Sequence, residues 1–308
     1  MDGIDFAISM ALMQNSRIPY RKFAEDFNMS VNSIHKRVKK MVELGIIQKF
    51  TTQISGFFIP FINVLMFGPS NAESREELLQ ELGANENIYN VTQASGNYLY
   101  IHSRLRNLNE LDSQISFVKR VGKIDELIVG LDKDSPINYS NYFEKITLSK
   151  LDYLIINALK DNSRKLISEI ADEVGTSVKT VKRHLNRLVE KNVVQFSIDW
   201  YPDKTGIILA MFQLKLKPNI DRTKVKEKLR NKYGQTIIFT WEFSNHPDLL
   251  LSCAWANTLK DLQNFEVSLK SKDIESVTVS LLFRGEMFPT WQNQYLEDKM
   301  KELVNGSS

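Results

Sequence analysis

The stretch LDYLIINALKDNSRKLISEIADEVGTSVKTVKRHLNRLVEKNVV, residues 151–194, decides the fold, because a close relative of it stands 147 positions earlier, at residues 4–47. Aligned without a gap, residues 4–48 and 151–195 share 13 of 45 positions, where ordinary residue usage would give about 3 by chance. Asp5 recurs as Asp152, Asn15-Ser16-Arg17 as Asn162-Ser163-Arg164, Ala24 as Ala171, Ser30-Val31 as Ser177-Val178 and Val42-Glu43 as Val189-Glu190. Most other pairs are conservative, among them Phe6/Tyr153, Ile34/Val181 and Lys36/Arg183.

Each copy reads as three short helices. In the second, Leu151, Ile155 and Leu159 recur at helical spacing, and Ile167, Ile170, Ala171 and Val174 form the next apolar stripe. Between helices two and three stand Asn28 in one copy and Gly175 in the other, the residue types that enter left-handed backbone at least cost. Ser30 and Ser177 follow where a hydroxyl can cap a helix N-terminus, and Gly45 and Asn192 stand where a helix ends in the left-handed conformation. Two helices with matching signals at both ends, twice over, predict a helix-turn-helix in each copy.

Working outward, each third helix is followed by an apolar strand, Ile46-Ile47 or Val193-Val194, then a glycine, Gly56 or Gly206, and a strand ending at Pro69 or Pro218. Helix, strand, strand, helix and strand are then expected near 74–83, 87–95, 97–105, 108–121 and 124–131, and near 222–233, 236–243, 248–255, 258–271 and 274–283. This βαββαβ order is the ferredoxin-like plan, whose sheet has one face under helices and one open. The open face needs a partner, and the second copy in the same chain is expected to supply it. Trp291, Tyr295, Leu296, Met300 and Leu303 predict a C-terminal amphipathic helix, and Asn305 to Ser308 a disordered tail.

The fold class expected is therefore α+β: two winged helix-turn-helix three-helix units alternating with two ferredoxin-like βαββαβ sandwich units. The boundaries read as 1–50 for the first DNA-binding domain, 51–132 for the first sandwich and 133–147 for a linker holding Asp134-Ser135-Pro136. The second DNA-binding domain takes 148–196, the second sandwich 197–287, and the C-terminal helix and tail 288–308.

Composition narrows the function classes. Of 308 residues, 43% are hydrophobic and 25% charged, as in ordinary soluble domains. The formal net charge is only +3, so a nucleic-acid footprint must be local. One cysteine, Cys253, rules out an internal disulfide and fits a reducing, cytoplasmic location. No apolar run spans a bilayer, and Met1-Asp2-Gly3 does not open a signal peptide. No GxxxxGK[ST], GxGxxG or HExxH motif occurs, no metal site is expected from four scattered histidines and one cysteine, and no cofactor is implied.

The local footprint lies on the third helices. Val31, Ile34, Val38, Met41 and Val42 share one face of the first, and Val178, Val181, Leu185, Leu188 and Val189 the same face of the second. The outer face of the first carries Asn32, Ser33, Lys36 and Lys40, flanked by His35, Arg37 and Lys39. That of the second carries Lys179, Thr180, Arg183 and Arg187, flanked by Lys182 and His184. Lys36, Arg37, Lys39 and Lys40 against Glu43 leave +3 over residues 30–45. Lys179, Lys182, Arg183, Arg187 and Lys191 against Glu190 leave +4 over 177–191. Lysine and arginine suit guanine edges and asparagine suits adenine, so double-stranded DNA is the expected partner. A solvated basic face in a protein-interaction module is the alternative reading of the same pattern.

The run Leu-Asp-x-x-Ile, Asn-Ser-Arg, Ser-Val-x-x-Val, Leu-Val-Glu-Lys-Asn-Val-Val, with the ferredoxin-like half after it, resembles the Lrp/AsnC (feast/famine) transcriptional regulators, here in tandem. That resemblance implies a sequence-specific regulator that homo-oligomerises and responds to a small-molecule effector such as an amino acid. The family's effector loop reads Gly-acid-aromatic-Asp; here it is Gly96-Asn97-Tyr98-Leu99-Tyr100 in copy one and Asn245-His246-Pro247-Asp248-Leu249 in copy two. Gly96, Tyr98, Tyr100 and Asp248 are the candidate effector residues. Siroheme decarboxylases also resemble Lrp/AsnC units and rely on histidine and arginine, with a His-Asn-Tyr-like run where this chain has Thr92-Gln93-Ala94-Ser95. With His35, His102, His184 and His246 as the only histidines, no enzymatic activity is expected.

Overall fold

The computed structural model describes residues 1–142 and 146–305. Copy one opens with α1 (Gly3–Gln14), α2 (Tyr20–Asp26) and α3 (Val31–Glu43). It continues through β1 (Ile47–Ile54), β2 (Ile62–Pro69), α4 (Arg75–Gly83), β3 (Ile88–Ala94), β4 (Tyr98–Leu105), α5 (Leu111–Gly122) and β5 (Ile128–Leu131). Copy two repeats the order with α6 (Lys150–Leu159), α7 (Ile167–Glu173), α8 (Val178–Glu190), β6 (Val194–Trp200), β7 (Ile208–Leu216), α9 (Arg222–Tyr233), β8 (Ile237–Glu242), β9 (Leu249–Ala256), α10 (Leu259–Leu269) and β10 (Ile274–Met287). α11 (Trp291–Asn305) follows.

Asn28 and Gly175, with φ of 51° and 67°, make the turns before α3 and α8, and Gly45 and Asn192, at 71° and 52°, follow them. The Ser30 and Ser177 hydroxyls each accept the backbone N–H of the third helical residue, Ser33 and Thr180, at 3.1 Å. Two expected elements shift. Residues 108–110 form a 3-10 turn rather than the start of α5, and β5 is confined to 128–131 instead of 124–131. β10 outruns its expected end at 283 because residues 284–287 run past β7 and pair with β3 of the other copy. Within the 133–147 connection a 3-10 segment covers Pro136–Tyr142. Residues 143–145 of that connection, and 306–308 of the tail, lie outside the described residues.

The chain folds as two compact units that cut across the sequence order. One gathers Met1–Pro60, Tyr139–Thr205 and Trp291–Ser308, and so holds both three-helix bundles. In it β1 and β6 form a two-stranded antiparallel ribbon, from Ile47↔Trp200 to Ile54↔Val194. The core of the second bundle, built on Ile155, Leu159, Ile170, Val181, Leu185 and Leu188, also takes in Ile54 of β1 and Leu296 of α11. The Tyr295 and Tyr153 hydroxyls meet at 3.0 Å, which ties α11 to α6.

The other unit, Phe61–Asn138 and Gly206–Thr290, holds both ferredoxin-like halves in one eight-stranded sheet of order β5-β2-β4-β3-β10-β7-β9-β8. Each half keeps its own helix-covered core, around Leu79, Ile101 and Val118 in copy one and Phe212, Leu250 and Phe265 in copy two. The opposite faces meet in a third cluster with members from both copies: Leu65, Phe67, Ala94, Tyr100, Met211, Phe243, Leu251 and Cys253. The two sheets of one chain thus pack face to face, as expected, and are in addition joined edge to edge through β3 and β10. The outer edges meet as well. Lys133 N–H donates to the Glu242 carbonyl at 2.9 Å, and Ser244 N–H to that of Leu131 at 2.8 Å. Gly130 is needed at this seam, since a Cβ there would fall 2.3 Å from the Phe243 ring.

Candidate nucleic-acid interface

The sequence predicts five apolar residues on the inner face of each third helix, and the structure buries three. Ile34, Val38 and Met41 are sealed, as are Val181, Leu185 and Leu188. Val31 and Val42 are each 41% exposed, Val178 50% and Val189 45%. The buried stripe is narrow because each bundle places only two short helices against its third. The consequence is a wide outer surface, on which Val31 and Val178 stand at the first helical position beside the charged residues.

The expected DNA-contacting residues divide into those that project freely and those already engaged. Lys36, Lys40, Lys179, Lys182 and Arg183 are exposed, as is Asn32. Ser33 and Thr180 are half-buried, their hydroxyls 2.8 and 2.9 Å from those of Ser30 and Ser177, where they reinforce the caps. His35 is exposed and packs edge-on against the Tyr20 ring at 4.4 Å. Lys39 lies 3.7 Å from Glu43, an exposed pair of the kind that contributes little.

Arg37 turns inward. Its guanidinium bonds Asp2 at 2.8 Å and Asp5 at 2.7 Å, so it braces α3 against the start of α1. The hydrogen bonds that Arg37 donates to Asp5 and Asp2 raise its pKa further, keeping it charged throughout. In copy two the acid is Asp152, fully buried, and two groups of α8 close on it: His184 Nδ1 at 2.8 Å and the Arg187 guanidinium. Burial would raise the Asp152 pKa, but the hydrogen bonds from His184 and Ser149 and the charge of Arg187 outweigh it and hold the carboxyl below its usual range. Arg187 is therefore a brace with an exposed flank; Lys36 and Lys40 in one copy and Lys179 and Lys182 in the other project outward, as does Arg183, whose guanidinium also lies 3.5 Å from His184 Nε2.

What holds the two readers together is a contact the sequence displayed without explaining. Arg17 donates to the carbonyls of Ser163 and Lys165, and Arg164 donates to those of Ser16 and Ile18. The Ser16 and Ser163 hydroxyls meet at 2.5 Å between them. The repeated Asn-Ser-Arg is thus a reciprocal clasp across an internal two-fold, with Arg17 over the Phe196 ring at 5.6 Å and Arg164 over Tyr20 at 4.1 Å. Its signal was visible as the longest identical run of the repeat. Burial lowers both arginine pKa values.

The four effector candidates do not form one group of like surroundings. Gly96, at φ 67°, makes the β3–β4 turn. Tyr98 is half-buried and Tyr100 fully buried, stacked on Phe67 at 5.5 Å with Gln213 donating to its hydroxyl at 3.3 Å. Asp248 is exposed, and its carbonyl accepts the Leu216 N–H. The neighbouring Asn245 and His246 cap β5 instead, with Asn245 Nδ2 donating to the Val129 carbonyl at 2.7 Å and His246 Nε2 3.0 Å from it. No group of three or more His, Cys, Asp or Glu side chains that could hold a metal occurs among the described residues. No helix among them is long and apolar enough to cross a membrane.

Comparison with known proteins agrees with this geometry. The model of the winged helix-turn-helix DNA-binding family matches residues 1–48 and again 148–195. An uncharacterized HTH-type transcriptional regulator of Pyrococcus abyssi is 28% identical over 127 residues, 41% of this chain and 84% of the relative. The HTH-type transcriptional regulator LrpB of Bacillus subtilis is 28% identical over 102 residues, 33% of this chain and 68% of the relative. Fold and site thus define a winged helix-turn-helix protein with two DNA-binding units in one chain. More narrowly, the relatives that it is similar to include a regulator of the Lrp type.

One expectation is corrected. The crystal structure of the siroheme decarboxylase NirDL in complex with an iron-uroporphyrin III analogue matches 99% of this chain and 100% of its own, with a TM-score of 0.59 and 12% identity. The chain's full-length architecture is therefore one on which an enzyme is built, and the expectation of a non-enzyme does not stand. Sequence reasoning rested on the Thr92-Gln93-Ala94-Ser95 run, whereas fold is set by packing and does not exclude a chemistry.

Proposed function

We propose that this protein is a sequence-specific DNA-binding transcriptional regulator in which one chain presents two unlike recognition helices as a single reading head. The observation that carries the proposal is the pairing of two exposed basic helix faces with the reciprocal Arg17–Arg164 clasp, which joins their bundles within one unit. In copy one, Asn32 offers an adenine reader beside Lys36 and Lys40. In copy two, Arg183 suits the O6 and N7 of guanine, supported by Lys179 and Lys182. Val31 and Val178 supply apolar contact of the kind a thymine methyl accepts. Arg37 and Arg187 hold the helices at their working angle, and His35, Lys39, Ser33 and Thr180 complete the surface toward the backbone phosphates.

On this reading the chain acts in the cytoplasm and assembles further, two pseudo-dimeric chains giving a palindrome of two asymmetric halves. A small molecule bound by the sandwich unit, around Gly96, Tyr98, Tyr100 and Asp248, would modulate it. The test is a gel shift with Lys36→Ala combined with Arg183→Ala. Each lost base contact is worth roughly 1–3 kcal/mol, so sequence-specific binding should disappear while the fold persists. Unchanged affinity in the double variant would remove the assignment.

A further inference from the structure

The helices α4 and α9 hold the same place in the two copies. Each follows an N-cap, Ser74 or Asp221, that stands 147 positions from its counterpart, and each seals two residues at that same offset, Leu78 and Leu82 in one and Val225 and Leu229 in the other. Their outer surfaces nevertheless have opposite charge. Four glutamates against Arg75 leave −3 over residues 73–83, and five cations against Asp221 and Glu227 leave +3 over the matching 220–230. The reversal is sharpest at two exposed positions one turn apart, where Glu77 and Glu81 of α4 correspond to Lys224 and Lys228 of α9.

The helices themselves do not account for this. Acids in the first turn of α4 suit the positive end of its dipole, but Arg222 and Lys224 in the first turn of α9 oppose it. Like charges four residues apart also weaken a helix, and both helices carry such a pair. Contacts within the chain use only part of the charge. Glu76 is held by Arg284 at 2.6 Å, and Lys226 by Asp134 and Glu242 at 3.0 and 3.1 Å. Lys224 and Lys228 lie 3.4 Å from Asp221 and 3.0 Å from Asp273, yet their side chains stay 74% and 67% exposed, so water screens both pairs and leaves the two ammonium groups open to a partner.

We propose that the acidic ridge of α4 docks on the basic ridge of α9 of a second copy of this chain. Within one chain the two ridges do not meet. α4 packs on the core of copy one and α9 on that of copy two, and the inner faces of both sheets lie between those cores. The helices also stand at different joints of the eight-stranded sheet, α4 tied to β10 through Arg284 and α9 to the end of β5 through Asp134. Between chains the ridges match. In each, the two charges are about 6 Å apart along the axis, so across antiparallel helices Lys224 faces Glu81 and Lys228 faces Glu77. The contact is heterologous, leaving an α9 on one chain and an α4 on the other to engage further copies. It rests on the sandwich unit alone and is independent of the DNA-binding reading.

The experiment is sedimentation velocity of the full-length chain, without DNA, over a series of protein concentrations at about 0.1 M and about 1 M salt, where the Debye length is about 10 and about 3 Å. The chain should self-associate at the lower salt, and the higher salt should weaken that association about tenfold or more. Glu77→Lys with Glu81→Lys, and separately Lys224→Glu with Lys228→Glu, should each weaken it about tenfold or more. All four positions are exposed, and circular dichroism of each variant checks that the fold persists. Mixing the two variants should restore association, because the unaltered α9 of the first meets the unaltered α4 of the second. The proposal is overturned if the chain shows no salt-sensitive association, if either charge reversal leaves it unchanged, or if the mixed variants stay apart. Loss with the lysine variant alone would mean that α9 docks on some other acidic surface, and that too overturns it. DNA affinity by gel shift is a separate readout, so failure here leaves the DNA-binding proposal to its own test.

Discussion

The two recognition helices differ in how they are braced against their own first helix as well as in what they face outward. In α3 the acid is Asp5, partly solvated, and a single arginine, Arg37, bridges it together with Asp2. In α8 the acid is Asp152, with no exposed surface, and it is shared by His184, Arg187 and the Ser149 cap. Arg37 corresponds in the repeat to His184, and Lys40 to Arg187. Once histidine replaces the bridging arginine, a cation one turn further along is drawn in, and the second helix gives up an outward charge to its own brace. Copy two is thus locked more tightly, while copy one keeps both Lys36 and Lys40 for a partner.

That contrast can be broken by removing the acids. Asp152→Ala removes a buried carboxylate from His184, the Ser149 cap and the partly exposed Arg187, which costs about 3 kcal/mol. Chemical denaturation should show a loss of that size, and a loss below about 1 kcal/mol would mean that the network adds little. Next in size, Arg183→Ala and Lys36→Ala should each cost about 1–3 kcal/mol of DNA affinity, and at different half-sites. Footprinting of each single variant would show protection fading on opposite halves of the site. Fading on both halves together would mean that the two helices are not read independently.

Smaller again, Asp5→Ala should cost about 1 kcal/mol of stability, because its pair with Arg37 is partly hydrated. The pH dependence sharpens the same comparison. The folded-state pKa of Asp152 is depressed, so its contribution is fully present above the unfolded carboxylate value of about 3.9 and is lost as pH falls through the lower folded value. Acid titration of stability in Asp152→Asn should therefore be flatter below about pH 4 than in the parent chain. A parallel pair of curves would contradict the assigned role.

Much of this was legible from residues alone. Asn28, Gly175, Gly45 and Asn192 announce left-handed turns whatever surrounds them, and Ser30 and Ser177 announce caps, because these are local properties of the backbone. The extension of β10 to Met287 was not legible, since it follows from pairing with a strand nearly two hundred residues away. The inward turn of Arg37 and Arg187 was missed for a related reason. Helical periodicity places both on the flank of the outer face, and only the position of α1 or α6 decides whether such a side chain points to solvent or to a carboxylate. The Arg17–Arg164 clasp showed itself as repetition, but an identical residue in two copies does not say that the copies touch.

The central claim is that one chain reads two unlike half-sites with α3 and α8. Selection of binding sites from random double-stranded DNA tests it most directly. The account predicts a bipartite site whose halves differ, the half lost on Arg183→Ala being richer in guanine and the half lost on Lys36→Ala retaining an adenine preference. Recovery of a short simple palindrome, weakened equally in both halves by either substitution, would contradict it.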